Sequence, residues 1–267
     1  MRLFKSETYF EISHKLFLIC FIIAADGIGR LHGSFIPHIG NHKVVGGHDA
    51  KPGEAPFQVS LLIDNKHQCA GSIINEHWIL TAAHCIECKD ESSMSILAGT
   101  NSLSSGEGHR YQVDRYVVHP MNNNPFRHND IGLIRLKESL EFGELVKPIE
   151  VYPDAIPEGS PVTLSGWGLT DSDEQEASDW LQILDLAVFS FDECFKFHDD
   201  IFDGHMCTFT QYGEGSCMGD SGGPLTFEGK LAGIVSYGIP CARGYPDVFT
   251  RVSFYQDWIK DTISDGQ

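Results

Sequence analysis

Residues 215–225 read Gly-Ser-Cys-Met-Gly-Asp-Ser-Gly-Gly-Pro-Leu, and the rest of the sequence is best interpreted outward from this stretch. It places Ser221 between an acidic residue and a pair of glycines. A serine hydroxyl is a weak nucleophile unless a base accepts its proton and hydrogen-bond donors stabilise the oxyanion that forms. Glycines let the backbone turn so that N–H groups can point at one place beside the hydroxyl. The stretch therefore predicts a nucleophilic serine, whose partners should be a histidine and a buried acid.

Two further motifs supply those partners. His84 follows the run Ile-Leu-Thr-Ala-Ala at 79–83, in which small residues permit close packing. Asp130 opens the apolar run Asp-Ile-Gly-Leu-Ile, so its carboxylate can lie at the edge of a core. A nucleophile, a base and an acid that orients the base form a recurrent hydrolytic arrangement. His84, Asp130 and Ser221 are therefore the candidate catalytic residues.

Four motifs in register resemble those of the chymotrypsin-like serine endopeptidases, which are secreted enzymes of the trypsin superfamily. They are Lys-Val-Val-Gly-Gly at 43–47 and the segments around His84, Asp130 and Ser221. The order His, Asp, Ser along the chain is the order of that family among the convergent triads. The resemblance covers residues 44–262 and is greatest to the insect chymotrypsins. It implies hydrolysis of peptide bonds, in which Ser221 attacks, His84 transfers the proton and Asp130 orients the imidazole.

Short β-rich runs separated by Gly, Pro, Asn and Asp predict an antiparallel all-β protein, either a sandwich or a barrel. Such runs occur at 58–63, 95–99, 111–118, 131–136, 161–166, 231–237 and 248–252. The resemblance implies two six-stranded antiparallel β-barrels, at 44–147 and 148–252, followed by a short C-terminal helix at 253–263. Ser253 and Gln256 have the spacing of a capping box at the start of this helix. We expect the helix to pack on the second barrel.

The resemblance also implies roles for the residues near Ser221. The backbone N–H groups of Gly219 and Ser221 would form the oxyanion hole. The bond between Lys43 and Val44 is a site for a trypsin-like activating protease, and the new α-amino group of Val44 would pair with Asp220. Burying either charge alone is costly, so the two must be buried together. The full-length chain is thus expected to be a zymogen.

The segment that precedes Val44 is expected to be removed in two steps. Basic residues precede an apolar run at 16–25, which is too short to span a bilayer and has the form of a secretory signal. Residues 1–25 are therefore interpreted as a signal peptide and 26–43 as an activation propeptide. This leaves 44–267 as the peptidase domain and predicts that it is secreted.

By resemblance, the substrate-binding pocket is formed by Gly215, Ser216, Ser236, Tyr237, Gly238 and Asp247. Gly215 stands where a trypsin carries an aspartate, and Gly238 leaves the entrance open, so the pocket suits a large apolar or aromatic side chain. Asp247 leaves two alternatives open. Its carboxylate faces the cavity and binds Arg or Lys, or nearby backbone occupies it and the pocket stays apolar.

Eight cysteines in a chain with a secretory signal indicate disulfides. Cys20 lies in the expected signal peptide and should leave with it. The resemblance implies the pairs Cys69–Cys85, Cys194–Cys207 and Cys217–Cys241. Cys88 is left over, which is consistent with a thiol, an intermolecular link or a different pairing.

The charge of the chain excludes one class of partner. Removing residues 1–43 takes five Lys or Arg from 19 and three Asp or Glu from 37, which leaves 14 and 34 and a net charge near −20. Nucleic acid is not expected as a partner, because its phosphates would be repelled. No cofactor, metal or membrane is expected either. The expected partners are protein or peptide substrates, the activating protease and protein protease inhibitors, with the enzyme itself a monomer.

A second interpretation is a catalytically inactive homologue that acts as an extracellular binding or cascade cofactor protein. Such homologues usually lack a member of the triad, whereas His84, Asp130 and Ser221 are all present. The sequence therefore favours an active endopeptidase, and the expected role is digestion or venom use.

Overall fold

The computed structural model describes residues 44–123, 127–170, 177–209, 211–239 and 241–265. The expected signal peptide, the propeptide and Lys43 lie outside these residues. Within the described ranges the chain forms two closed antiparallel barrels of six strands each, together with short helices. The prediction of an all-β fold with two barrels is thereby confirmed.

The first barrel follows a two-residue strand, β1 (His48–Asp49). Its strands are β2 (Gln58–Ile63), β3 (Lys66–Ile73), β4 (Trp78–Thr81), β5 (Met94–Ala98), β6 (His109–Val118) and β7 (Gly132–Leu136). They close in the order β2-β3-β4-β7-β6-β5. Asp64 and Asn65 both have positive φ, as a two-residue hairpin turn requires, and this turn sets the pairing of β2 with β3. Aliphatic side chains such as Val59, Leu61 and Ile96 are buried in the core of this barrel.

The second barrel has the same design. Its strands are β8 (Pro161–Gly166), β9 (Gln182–Phe189), β10 (His205–Thr208), β11 (Pro224–Phe227), β12 (Lys230–Tyr237) and β13 (Asp247–Arg251). They close in the order β8-β9-β10-β13-β12-β11, and β1 adds to the outer edge of β9. Glu228 and Gly229 have positive φ and form the tight turn between β11 and β12. Leu164, Leu225 and Phe249 are fully buried in its core.

Strand positions follow the sequence pattern closely. β2 and β8 have the expected bounds, and the other five predicted strands differ by at most two residues at an end. The differences occur at strand ends because inter-strand hydrogen bonding, and not the side-chain pattern, determines where a strand stops.

Helices contribute little to the described ranges. They are α1 (Ala83–Ile86), α2 (Phe191–Phe195) and α3 (Gln256–Asp265), with 3-10 turns at Glu91–Ser93 and Val252–Tyr255. None of the described helices has the length and apolar character needed to cross a membrane.

The C-terminal helix begins later than expected and packs elsewhere. The 3-10 turn at Val252–Tyr255 leads into α3, and Gln256 Nε2 donates to the carbonyl of Pro153 at 2.7 Å. The expected capping box is therefore not formed. Ile259 is buried in a cluster drawn mainly from the first barrel that also contains Leu231 and Ile234 of the second. The helix therefore packs on a core that both barrels share, and not on the second barrel alone.

The described residues form three disulfides, Cys69–Cys85, Cys194–Cys207 and Cys217–Cys241. These are the three pairs that the resemblance implied. Cys88 is exposed and lies outside them. The first disulfide joins β3 to α1, and the third ties the loop before Ser221 to the loop after β12.

Candidate active site

His84 lies on α1, a single helical turn that begins two residues after β4. So short a helix has little stability of its own, so its position depends on its contacts. The disulfide between Cys85 and Cys69 ties it to β3. The His84 backbone N–H donates to Asp130 Oδ1 at 2.9 Å. These contacts fix the imidazole at the surface of the first barrel, with 15% of the side chain exposed.

Asp130 holds the imidazole in one orientation. Its Oδ2 lies 2.8 Å from His84 Nδ1. Because an ionised carboxylate can only accept hydrogen bonds, Nδ1 carries the proton and Nε2 keeps a lone pair. A histidine in this state can accept a proton from a neighbouring hydroxyl.

The Asp130 carboxylate is 1% exposed and is held by residues of the second barrel as well as the first. Ser236 Oγ on β12 donates to Oδ2 at 2.6 Å, and Thr250 Oγ1 on β13 donates to the Asp130 carbonyl at 2.8 Å. Burial acts to raise the pKa of Asp130, but hydrogen bonds from His84 and Ser236 and the charge of His84 hold it below its ordinary value. The acid therefore stays ionised beside the imidazole.

Ser221 lies in the tight turn that precedes β11 and is half-buried. Its carbonyl accepts a hydrogen bond from the Ala70 N–H at 2.8 Å. The next residue, Gly222, packs so closely that an added Cβ would overlap Thr81 Oγ1 and lie 3.2 Å from the Ala82 nitrogen. The serine turn thus packs against the segment that leads directly into α1.

The described residues include no hydrogen bond between the Ser221 hydroxyl and His84 Nε2. His84 Nε2 instead lies 3.7 Å from Cys85 Sγ, which is at most a weak contact. In catalytic sites the bond between nucleophile and base is often long or poorly aligned until substrate is present. The structure brings the two segments together and fixes the imidazole through Asp130.

Gly219 has the backbone conformation that the oxyanion-hole prediction requires. Its φ is +101°, a value that disfavours any other residue, and an added Cβ would lie 3.1 Å from Gly168 Cα. Neither the Gly219 N–H nor the Ser221 N–H donates a hydrogen bond to any of the described residues. Two backbone donors beside the serine are therefore available to an oxyanion.

His67 supports the loop that contains Gly219, and this role was not identified from the sequence. Its Nε2 donates to the Gly219 carbonyl at 3.0 Å, and its Nδ1 accepts from Ser60 Oγ at 2.8 Å. Burial lowers the pKa of His67 to about 4, although the bond to Gly219 acts in the opposite sense. The ring is therefore neutral and serves as a fixed donor. It lies 152 residues from Gly219 in the chain, so no local motif could reveal the contact.

Asp220 is fully buried beneath the loop. Its Oδ1 accepts from the Gly168 N–H at 2.7 Å and its Oδ2 from the Cys217 N–H at 2.9 Å. Burial raises the pKa of Asp220 to about 6 because it outweighs these two backbone bonds. Val44 is also fully buried, in the core of the second barrel. Asp220 and Val44, two of the three residues assigned to activation, are thus both buried. The third, Lys43, lies outside the described residues.

Asp247 lies between the two glycines that were assigned to the pocket. An added Cβ on Gly215 would lie 2.8 Å from Oδ2, and one on Gly238 would lie 2.7 Å from Oδ1. Oδ2 accepts from the Ser216 N–H at 2.6 Å. Burial raises the pKa of Asp247 to about 7, while the bonds from Ser216 lower it. The carboxyl group is therefore held by both the backbone and the side chain of Ser216.

Ser236 and Tyr237 have contacts that the pocket assignment did not include. The Ser236 hydroxyl donates to Asp130, as described above, and the Tyr237 hydroxyl donates to Asp200 Oδ1 at 2.9 Å. Burial, followed by the bond to Asp200, raises the pKa of Tyr237 above its ordinary value. These side chains thus anchor the strand end that leads to Gly238.

One group of side chains with metal-ligand chemistry occurs in the described part of the chain: Cys69, His84 and Cys85. The two sulfurs are bonded to each other. Because thiolates are the metal-binding form of cysteine, this group offers no sulfur ligand.

Comparison with known proteins agrees with this geometry. The family model described as Trypsin matches residues 44–259. Chymotrypsin-2 of Vespa crabro is 41% identical over 218 residues, which cover 81% of this chain and 98% of that protein. Brachyurin of Leptuca pugilator is 34% identical, with 81% and 97% covered. Trypsin II-P29 of Gallus gallus is 37% identical, with 83% and 90% covered.

A solved structure has the same fold. Neuropsin, described as a serine protease expressed in the limbic system of mouse brain, superposes with a TM-score of 0.77 at 33% identity. The match covers 81% of this chain and 98% of neuropsin. With a family match over most of its length and relatives of this identity, the chain belongs to the trypsin family and is a serine endopeptidase.

Proposed function

We propose that the chain is secreted as a zymogen, is cut after Lys43, and then cleaves peptide bonds after large apolar or aromatic residues. Arg and Lys are secondary substrates of the same pocket. The observation that carries this proposal is the bond between His84 Nδ1 and Asp130 Oδ2, next to a serine turn packed against the segment before α1.

The reaction begins when Ser221 attacks the peptide carbonyl and His84 Nε2 accepts its proton. The imidazolium that forms lies against the ionised Asp130, which stabilises its charge. His84 then donates the proton to the leaving amine. Water next attacks the acyl-enzyme, and His84 again accepts a proton and returns it, this time to Ser221. The negative oxygen of each tetrahedral intermediate would accept from the N–H groups of Gly219 and Ser221. One such donor contributes about 3–4 kcal/mol to lowering the barrier.

Activation follows from the buried carboxylate of Asp220. In the uncut chain its bonds come from backbone N–H groups, and burial raises its pKa to about 6. Cleavage after Lys43 would create an α-amino cation on Val44, whose side chain is buried in the core of the second barrel. A cation beside Asp220 would favour the ionised carboxylate. Since Asp220 directly precedes Ser221, the pairing would order the oxyanion hole.

Specificity follows from the pocket floor. Gly215 and Gly238 carry no side chain, and the carboxyl group of Asp247 fills the space beside both of them, where it would form the floor of the pocket. When that group is protonated it is uncharged and tolerates an apolar side chain. When it is ionised, it can accept from an Arg or Lys head group. This supports apolar residues as main substrates and basic residues as secondary ones.

An extracellular site of action is supported by the three disulfides of the described residues and by the chymotrypsin and the trypsin among the relatives. The proposed partners are a trypsin-like activating protease, protein substrates and protein protease inhibitors. The enzyme would act as a monomer. The inactive homologue considered from the sequence is disfavoured, because the His84–Asp130 pair is formed and the triad residues are all present.

The test begins with the secreted precursor. It is cut with immobilised trypsin, and sequencing of the new amino terminus checks for Val44. Matched peptides with Phe, Leu, Arg or Ala before the scissile bond are then compared by kcat/KM, and a fluorophosphonate probe titrates the active serine. We expect Phe and Leu to lead and Arg to follow.

The control is the Ser221→Ala variant processed in the same way, which should cleave no peptide and take up no probe. Failure of the cut wild-type chain to react with the probe would contradict the proposal. So would a precursor whose activity does not rise on cutting.

A further inference from the structure

The segment that ends at the candidate catalytic acid, residues 127–130, has a backbone that is unfavourable on its own. Arg127 and Asn129 have φ values of +54° and +53°, in the left-handed region that residues other than glycine rarely adopt. The Asn129 carbonyl also accepts from the Ile131 N–H at 2.8 Å, which makes a tight turn around Asp130. A strained backbone of this kind persists only where its surroundings hold it. The position of Asp130 therefore depends on contacts from outside the segment.

Contacts from the second half of the chain reach every residue of this segment. They are the bonds from His205 Nε2 to the Arg127 carbonyl at 3.1 Å, from His128 Nε2 to the Asp200 carbonyl at 2.7 Å, from the Tyr255 hydroxyl to Asn129 Oδ1 at 3.1 Å and from Thr250 Oγ1 to the Asp130 carbonyl at 2.8 Å. The shortest of these links spans 72 residues of the chain, so none of them is a local turn contact. The second half thus sets the conformation of the segment that carries Asp130.

His205 on β10 is a buried donor of fixed orientation. Its residue is 0% exposed, and burial lowers the pKa of His205 to about 4, although the bond to the Arg127 carbonyl acts in the opposite sense. Near neutral pH the ring is therefore uncharged and carries a single proton. Nδ1 lies 3.4 Å from the Phe202 N–H, which can only donate, and Nε2 faces a carbonyl, which can only accept. The proton therefore lies on Nε2.

The same ring has a second contact, which has to be separated from the first. It lies edge-on to the ring of Tyr237, with centroids 5.8 Å apart, and Tyr237 follows the Ser236 that donates to Asp130. His205 can thus act on Asp130 through its donor or through its packing. The donor is favoured, because its loss releases an Arg127 backbone that is already strained. Another ring could replace the packing contact.

We propose that His205 is a positioning residue, whose Nε2–H holds the Arg127 carbonyl and thereby sets the place from which Asp130 orients the His84 imidazole. This inference rests on the proposed function, in which Asp130 and His84 are catalytic. Asp130 Oδ2 lies 2.8 Å from His84 Nδ1, and Oδ1 accepts from the His84 backbone N–H at 2.9 Å. A displacement of Asp130 would change both bonds and turn the imidazole away from Ser221.

The experiment separates the donor of His205 from its ring. His205→Phe keeps a ring beside Tyr237 but has no donor, whereas His205→Gln keeps an Nε2 donor but has no ring. Each precursor is cut after Lys43, and fluorophosphonate titration counts the active sites. We expect kcat of His205→Phe to fall about 10-fold to 100-fold with KM within about twofold of the wild type, since the pocket belongs to other segments. His205→Gln should keep kcat within about threefold of the wild type.

The matched control is Met206→Ala. Met206 is the next residue on β10, and its side chain is buried in the core of the second barrel, on the opposite face of the strand. This variant should have a lower Tm, yet its kcat per titrated active site should equal that of the wild type. A loss of kcat in Met206→Ala as large as that in His205→Phe would contradict the inference, because any loosening of β10 would then slow the reaction.

Two spectra test the geometry without a measurement of activity. Proton–nitrogen correlation spectra of the activated wild type should show a neutral His205 ring protonated on Nε2. The proton shared by His84 Nδ1 and Asp130 should give a low-field resonance. That resonance should move or vanish in His205→Phe and remain in place in His205→Gln and Met206→Ala.

A wild-type His205 ring protonated on Nδ1 would overturn the inference, and this result needs no variant to fold. Wild-type kcat in His205→Phe would also overturn it. So would a His205→Gln enzyme as slow as His205→Phe, since His205 would then act through its packing. An activated wild type that neither reacts with the fluorophosphonate nor cleaves any peptide would refute the proposed function itself, and so differs from the other three results.

Discussion

The carboxyl group of Asp247 is buried between Gly215 and Gly238, where burial raises its pKa to about 7. Near neutral pH it therefore exists in both protonation states. The protonated form suits an apolar side chain, and the ionised form suits a cation. The preference of the pocket for an apolar or a basic side chain should then depend on pH, although neither kind of side chain titrates near neutral pH.

The first prediction follows from this titration. Below pH 7 the ionised fraction of Asp247 rises about tenfold per pH unit, and above pH 8 it is nearly constant. The ratio of kcat/KM for an Arg peptide to that for a Phe peptide should follow the same curve between pH 5.5 and 9. Taking the ratio cancels any pH dependence of the chemical step, which is the same for both substrates.

The control is Asp247→Asn, which keeps an oxygen that can accept from the Ser216 N–H but carries no charge. This variant should retain cleavage after Phe and lose most cleavage after Arg at every pH. An Arg-to-Phe ratio that does not change with pH in the wild type would contradict the role given to Asp247.

At the scale of elements, the turn that carries Ser221 depends on a glycine whose replacement would be costly. Gly222 has a φ of +76°, and an added Cβ would overlap Thr81 Oγ1 and lie 2.6 Å from the Ala70 carbonyl oxygen. Gly229, in the turn between β11 and β12, has a φ of +73° and has nothing within 4 Å of an added Cβ. The two positions share a backbone conformation but differ in their surroundings.

The second prediction compares Gly222→Ala with Gly229→Ala. Gly229→Ala should cost about 1–2 kcal/mol of unfolding free energy, since only the strained backbone conformation is affected. Gly222→Ala should cost more and should lower kcat/KM about 100-fold, because the methyl group displaces Ser221 from the segment before α1. Urea unfolding of the uncut proteins and peptide assays of the cut ones give both values. Equal losses in the two variants would show that the close packing of the turn is unimportant.

The bounds of a strand or helix could be predicted where residues close in the sequence determine them. The strand bounds of β2 and β8 follow from apolar runs bounded by turn residues. The start of α3 was not predictable, because the bond from Gln256 to Pro153 competes with the capping box that Ser253 would form. The side of the molecule on which α3 packs depends on the path of the whole chain. No pattern within ten residues carries that information.

At the scale of the whole molecule, the two barrels are joined through both their cores and their active-site residues. The largest cluster of buried apolar residues contains Leu231 and Ile234 of the second barrel together with Ile79 and Leu133 of the first. Asp130 of the first half accepts hydrogen bonds from Ser236 and Thr250 of the second. We therefore expect the barrels to unfold together.

The third prediction uses Ile259 of α3, which is 4% exposed in that cluster. Ile259→Ala should lower the unfolding free energy by about 2–5 kcal/mol, as expected for a truncated core side chain. The transition should remain single, and activity per folded molecule should persist. The control is Lys260→Ala at the exposed next position, which should change stability by less than about 0.5 kcal/mol. Two separate transitions in calorimetry would contradict a shared core.

The three candidate catalytic residues could be named from sequence because each lies in a distinctive motif. Their supports could not be, because each support comes from a distant part of the chain. His67 holds the Gly219 carbonyl across 152 residues. Ser236 was expected as a pocket wall, yet its hydroxyl bonds Asp130.

The helix that carries the His84 imidazole is one turn long and is tied to β3 by the disulfide between Cys69 and Cys85, whose residues are 6% and 3% exposed. A reducing agent in the surrounding fluid can reach these sulfurs only when the first barrel opens. In a thiol-rich medium the working lifetime of the enzyme should therefore be set by how often that barrel opens, and only weakly by the strength of the reductant.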